Sequence, residues 1–289
     1  MPSHQSKGSA NVWQRRELLG LGVGACLSGA LAGWPAAAAR AAGNEASDGA
    51  QLAQALYDRP SGQDATSRVE MALSAPGKST RLRKMVLFRR EGEAGATASM
   101  IRFIEPADID GTGLLTLTDA DGETDQWIYL PAMRRVRRVD SSRQGGRFVN
   151  SDYYFEDLRE RKPSKDAHRI LGAETVAGVS CQVLESVPLD PESSVYVRRV
   201  AWVDPQRLLA LRVDLYEDGP DQPTKRLTAG RIEKVQGFWS VMDSTMTDLT
   251  DESQTRLQVE KMVYDQGLPE SLFSSRALSQ ERRDRQYRP

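Results

Sequence analysis

The residues able to carry chemistry are few. The chain has two histidines, His4 and His168, and two cysteines, Cys26 and Cys181. A histidine-based metal site needs several converging imidazoles, and only His168 lies beyond the N-terminal stretch. A Ser-His-Asp triad would have to use His168, and no Gly-x-Ser-x-Gly elbow is present. Cys181 alternates with Val179 and Val183, the position of a small inward hydrophobe. As a nucleophile it would need a histidine partner that nothing provides. Asp108-Ile109-Asp110-Gly111 and Asp119-Ala120-Asp121-Gly122 look like calcium-loop fragments, but they lack the downstream ligand spacing and read as hairpin turns. No metal, cofactor or catalytic residue is expected, and a hydrolase using His168 is the least favoured alternative.

Two other groups of side chains stand out. Trp127, Tyr129, Tyr153, Tyr154 and Phe155 could line or gate an apolar groove, since aromatics give broad, low-specificity contact. Ordinary core packing is the alternative for each. Arg134, Arg135, Arg137 and Arg138 form a basic run. On a strand Arg134, Val136 and Arg138 face one way, and Arg135, Arg137 and Val139 the other. Asp152, Glu156 and Asp157 follow in the next segment. One reading is an arginine–carboxylate network pinning the loop 141–158 to the strand. The other is a basic rim that attracts phosphate headgroups or an acidic protein surface.

The N-terminal stretch has the three parts of an export signal. Lys7, Arg15 and Arg16 precede an apolar, glycine-rich run from Leu18 to Trp34, and small residues then offer cleavage after Ala39 or Ala41. Gln14-Arg15-Arg16-Glu17-Leu18-Leu19-Gly20 resembles a twin-arginine signal, departing from it at Gln14 and Gly20. An ordinary secretory signal is the alternative, while an uncleaved anchor and a lipidation box at Val23-Gly24-Ala25-Cys26 fit less well. Residues 1–42 hold four basic residues and one acidic, so of 39 basic and 40 acidic residues 35 and 39 remain, a net charge of −4. That balance argues against nucleic acid as a partner. Cys181 is then the sole cysteine, so no internal disulfide is expected.

Most of the remaining chain alternates apolar and polar residues with period two. Leu209, Leu211, Val213 and Leu215 do so, as do Val179, Cys181 and Val183, and Leu257 with Val259. The same pattern and its flanking turns predict strands at 68–74, 81–90, 97–105, 113–119, 124–130, 134–140, 167–176, 194–204, 225–236 and 238–248. Helices are expected at Gly49 to Tyr57 and, more weakly, at Ser151 to Arg161 and Pro269 to Arg283. The highly charged end, Glu281 to Arg288, is expected to fray. Strands in up-and-down order with one apolar face need that face covered. Two or three short helices cannot cover it, so the sheet must curl upon itself, and curled sheets can enclose a cavity. A fully packed interior is the alternative.

The most informative block runs from Phe103 to Leu158. It contains Phe103-Ile-Glu-Pro106, Asp110-Gly111-Thr-Gly113-Leu-Leu115, Trp127-Ile-Tyr129-Leu-Pro131-Ala-Met-Arg134-Arg135-Val-Arg137-Arg138-Val139 and Phe148-Val-Asn-Ser151-Asp152-Tyr153-Tyr154-Phe155-Glu156-Asp157-Leu158. This series resembles the outer-membrane lipoprotein-sorting protein family, a LolA-like group. The resemblance continues through Ala177-Gly178-Val-Ser-Cys181-Gln-Val-Leu-Glu185, Ala201-Trp202-Val-Asp204, Lys225 and Leu268-Pro269 with Leu272, Phe273 and Leu278. Asn150 stands where the family usually has glycine.

The resemblance implies a mainly β (α+β) fold, a strongly curved antiparallel sheet forming an incomplete β-barrel with a few short helices across its open side. It implies a concave apolar interior accepting acyl chains of a lipid or lipoprotein, and an inner-membrane RND-type (resistance-nodulation-division) transporter as partner. The expected protein is thus a non-enzymatic periplasmic carrier or binder with transient membrane-surface contact. A scaffold or stress-sensing regulator on the same fold is the alternative. The expected division is 1–42 export signal, 43–64 N-terminal segment with a short helix, 65–279 LolA-like domain and 280–289 charged tail.

Overall fold

The computed structural model describes residues 36–140 and 144–289, with side chains from Ser47 onward. The expected export signal falls on residues 1–35, outside the described residues, and on the first turns of helix α1 (Ala36–Tyr57). Fifteen strands follow among the described residues, many with the period-two alternation of a strand. The first six are β1 (Asp64–Ser74), β2 (Arg81–Glu91), β3 (Thr97–Glu105), β4 (Gly113–Thr118), β5 (Thr124–Leu130) and β6 (Arg135–Arg138). After a long connection come β7 (Asp166–Val176), β8 (Val179–Pro188), β9 (Arg198–Asp204), β10 (Leu209–Tyr216) and β11 (Lys225–Ala229). The last are β12 (Ile232–Val235), β13 (Phe238–Val241), β14 (Asp243–Asp248) and β15 (Ser253–Tyr264), and a short helix α2 (Ser275–Leu278) lies beyond them.

Thirteen strands form one curved antiparallel sheet in the order β6-β5-β4-β3-β2-β1-β15-β14-β11-β10-β9-β8-β7, not closed into a barrel. β12 and β13 form a separate hairpin. The first and last strands, β1 and β15, pair in the middle of the sheet. Its two edges are β6 and β7, neighbours in the chain that do not pair. The barrel is therefore open where the chain passes from β6 to β7.

Several expected elements differ. The spans 225–236 and 238–248 each break in two, because Gly230 and Met242 bond to Asp243 and Arg231 and turn the chain out into the β12–β13 hairpin. The segment 151–161 is not helical. It holds one short 3-10 turn, Glu156–Leu158, because its carboxylates are drawn outward to the wall and its aromatics inward. In 269–283 only Ser275–Leu278 is α-helical, capped by the Ser274 hydroxyl on the Ala277 amide. The charged end does not fray. Asp284 is buried and pairs with Arg102 of β3 at 3.0 Å.

Register decides which side chains share a face. Met85 and Leu87 on β2 lie opposite Phe103 and Ile101 on β3. The same face continues through Leu114 and Ile128 on one side, and through Val69, Val259, Met246, Leu227 and Val213 on the other. These residues build two buried clusters, and Leu158 packs against both. One side chain can touch both halves of a single sheet only from its hollow side, so this face is concave. α1 covers its far end, setting Leu52, Ala53 and Leu56 against Ile170, Leu184, Ala201 and Val203.

The opposite, convex face is also covered over β2–β5. Val86, Phe88, Met100 and Leu115 are sealed by Leu268, Leu272, Phe273 and Leu278 of the C-terminal segment. At roughly 25 cal/mol per Å² of apolar surface removed from water, both faces contribute to stability.

Candidate functional site

The concave interior is occupied. Residues 146–158 turn inward from the open seam and place Phe148 among Phe103, Met71 and Met85. The Phe148 ring lies 5.8 Å from Phe103 and 5.7 Å from Phe155, tilted and edge-on. Tyr153 joins Tyr196, Leu215 and Met246 in the other half. The broad greasy hollow expected from the strand tally is thus largely filled by the protein's own side chains. What remains is an apolar cavity of about 220 Å³ lined by Leu87, Ile101, Thr116, Thr118 and Leu158. It shares Arg89, Thr97 and Glu160 with a polar mouth of about 490 Å³.

The mouth is acidic. Asp58, Glu91, Glu160 and Asp265 line it against Arg59 and Arg89. Both arginines are already used. Arg89 donates to Glu91 and to the Ser61 and Gly62 carbonyls, and Arg59 donates to the Trp239 carbonyl at 2.7 Å. Burial pushes the Tyr57 phenol above its ordinary value, and the nearby Glu160 and Asp58 add to it.

The aromatic candidates do not converge. Tyr153, Tyr154 and Phe155 lie in the inward segment. Trp127 and Tyr129 are on the convex face under the C-terminal segment, because the β5 register turns Gln126 and Ile128 inward instead. Trp127 and Phe273 border a more polar groove of about 790 Å³ with Arg90, Asp125 and Arg138, and it shares Thr97, Ala98 and Thr118 with the apolar cavity.

The charged candidates divide as well. Carboxylates hold the inward segment, with partners other than the arginine run. Asp152 pairs with Arg147 and accepts from the Ser253 and Thr255 hydroxyls. Glu156 accepts from Ser194, the Val195 amide and Arg199. Asp157 accepts from the Tyr196 hydroxyl at 2.8 Å. Arg138 pairs with Asp125. Among the described residues, Arg134, Arg135 and Arg137 are exposed without an ion-pair partner on the short edge strand or its turn.

Sequence reasoning passed over Arg147, Lys225 and Phe148 as site residues. Lys225 is fully buried and donates to the Asp152 carbonyl at 2.8 Å, with its ammonium against the Tyr154 ring. Burial lowers it to about 8, and burial raises the Asp157 carboxyl to about 6. A lysine on the inward-facing side of its strand, in phase with Leu227 and Ala229, was the available signal.

A family model of uncharacterised proteins matches residues 95–280. A crystal structure of a DUF1329 family protein from Desulfovibrio piger is 30% identical, covering 81% of this chain and 99% of its own, with a TM-score of 0.77. The chain belongs to the DUF1329 family. An outer-membrane lipoprotein-sorting protein domain from Vibrio parahaemolyticus is 29% identical to this DUF1329 chain, covering 81% of it and 100% of its own length, with a TM-score of 0.77. A LolA superfamily protein from Nitrosomonas europaea, 18% identical over 80% of the chain and 97% of its own, shares the fold at a TM-score of 0.61. The LolA-like fold expected from the sequence is thus present in this DUF1329 member. No curated protein matches the chain. Among the described residues, no group of His, Cys, Asp and Glu side chains is placed to hold a metal, and no helix is long and apolar enough to cross a membrane.

Proposed function

We propose that this protein is a carrier or binder of acyl chains, from a lipid or a lipoprotein, within the bacterial cell envelope. The single observation that carries the reading is a pair of adjacent cavities: an apolar hollow under Leu87, Ile101 and Leu158 that shares Arg89, Thr97 and Glu160 with a charge-lined mouth. Such a cavity suits an amphiphile, since each buried methylene contributes about 0.8 kcal/mol while the headgroup stays wet. The sorting-domain likeness at 29% identity supports it. An export signal over residues 1–42 would place the protein in the periplasm, and an RND-type inner-membrane transporter is the proposed donor or acceptor of cargo. With Glu91 paired to Arg89, the other carboxylates of the mouth, Asp58, Glu160 and Asp265, favour an amine-bearing headgroup over an anionic one.

The bare basic edge at Arg134, Arg135 and Arg137 favours a second reading, a scaffold that docks an acidic partner without cargo. Mass spectrometry of lipid extracted from natively purified protein separates the two. A carrier retains acyl chains, and Leu87→Asp, in the hollow, lowers their occupancy at least several-fold. Trp127→Asp, on the convex face, costs stability but not selectivity for acyl chains. Protein free of lipid that still captures an acidic partner would overturn the carrier reading.

A further inference from the structure

We infer that residues 146–158 are a displaceable plug, and that cargo enters by taking the place of Phe148, Tyr153, Phe155 and Leu158 on the concave face. This rests on the carrier reading and adds the part that must move. The hollow of about 220 Å³ is smaller than a typical ligand pocket of about 300–1,000 Å³. The apolar wall able to hold a longer chain lies beneath the plug, so plug and chain compete for one surface.

The plug is built to leave without breaking the sheet. Its backbone hydrogen bonds stay within it and its stem: Phe148 to Tyr153, Phe155 to Gly146 and, on the stem, Glu156 to Gln144, with a bridge between Arg147 and Tyr154. Among the described residues, none joins it to a strand of the wall through backbone on both sides. Every polar tie to the wall uses a side chain. Arg83 holds the Val149 carbonyl, Gln126 holds that of Phe155, and Lys225 holds that of Asp152. Arg147 reaches Asp248 and Asp251 across the rim. A hairpin with its own ladder moves as a unit, and local opening of such units costs less than global unfolding.

Two further features fit a movable element. Gly145 and Gly146, where the plug begins, give its stem backbone freedom. Val149 and Asn150, at its tip, are both left-handed, with φ of 47° and 59°. A β-branched residue there is strained.

Departure also balances chemically. Asp152, Glu156 and Asp157 pass from protein donors to water, and the acyl chain covers the apolar wall again. Lys225 stays behind, and the ester carbonyl of an acyl chain can supply the acceptor that the Asp152 carbonyl supplies now.

Hydrogen–deuterium exchange of the full protein, with and without 1-lauroyl-lysophosphatidylethanolamine, tests this. At saturating ligand, amides of 146–158 are expected to exchange about tenfold faster, and those of β2 and β3 more slowly. Arg147→Ala, which removes the ties to Asp152, Asp248 and Asp251, is expected to load several-fold faster. Ligand binding with exchange in 146–158 unchanged or slowed would overturn the plug and leave the carrier reading standing. No binding by wild type or by Arg147→Ala would overturn both.

Discussion

Lys225, on β11, donates from a fully buried ammonium to the main-chain carbonyl of Asp152 in the inward segment, at 2.8 Å. This bond joins the middle of the sheet to the piece of chain that fills its hollow. It holds a charge where burial opposes one, so its partners are needed to keep it there. Lys225→Met keeps the volume and removes the donor. It is expected to destabilise the protein by about 1–3 kcal/mol, since the Asp152 carbonyl loses its partner. Denaturant unfolding measures this, and an unchanged midpoint would show the bond to be dispensable.

The same network sets a pH dependence. Asp157, raised to about 6 by burial, binds its proton in the folded state well above the ordinary carboxylate range. Between about pH 4 and 6 the folded state therefore holds more protons than the unfolded one, and this group's contribution to stability falls as pH rises. Asp157→Asn is expected to flatten that part of the profile by up to about 2 kcal/mol. Lys225, lowered to about 8, acts oppositely: above pH 8 the unfolded state holds the extra proton, and its contribution rises with pH. Melting curves from pH 4 to 9 check both signs.

Arg102 and Asp284 form a fully buried ion pair, with Arg102 also donating to the Gly111 carbonyl at 2.7 Å. Removing one partner strands a charge. Asp284→Asn is expected to cost about 3–5 kcal/mol, and the double variant Arg102→Met with Asp284→Leu much less. A double-mutant cycle on unfolding free energy measures the difference.

Arg134, Arg135 and Arg137 make no ion pair among the described residues. Replacing all three by Glu is expected to leave stability within about 0.5 kcal/mol, as for exposed sites elsewhere. Salt-sensitive binding to an acidic surface, if these residues supply it, is lost in the same variant. A large drop in melting temperature would instead place them in the fold.

Fold class was legible in the sequence because period-two alternation marks its strands, as at Val179 to Val183, although at Leu209 to Leu215 a bulge at Ala210/Arg212 parts Leu211 from Val213 and Leu215, which pack on the other face. Parity within a strand was legible too: Val136 and Val139 do face opposite sides. The site was less so. Nothing local told Trp127 from Ile128, because both faces of β5 are covered, one by the plug and one by the C-terminal segment. That second cover rests on Arg102 and Asp284, which are 182 residues apart. The composition of Glu281 to Arg288 reads as solvated until its partner is known. The inward turn of 146–158 was hidden for a similar reason. Its carboxylates suggested the arginine run, whereas Asp152 pairs with Arg147 of the segment itself, and Glu156 and Asp157 are met by Arg199 and Tyr196 from across the hollow.

The most direct test of an acyl site on the concave face is photolabelling with a fatty chain carrying a terminal diazirine, followed by peptide mapping. Adducts at Leu87, Ile101 and Thr116 are the predicted result. Adducts confined to Trp127, Leu117 and Phe273, along the convex groove, would contradict it.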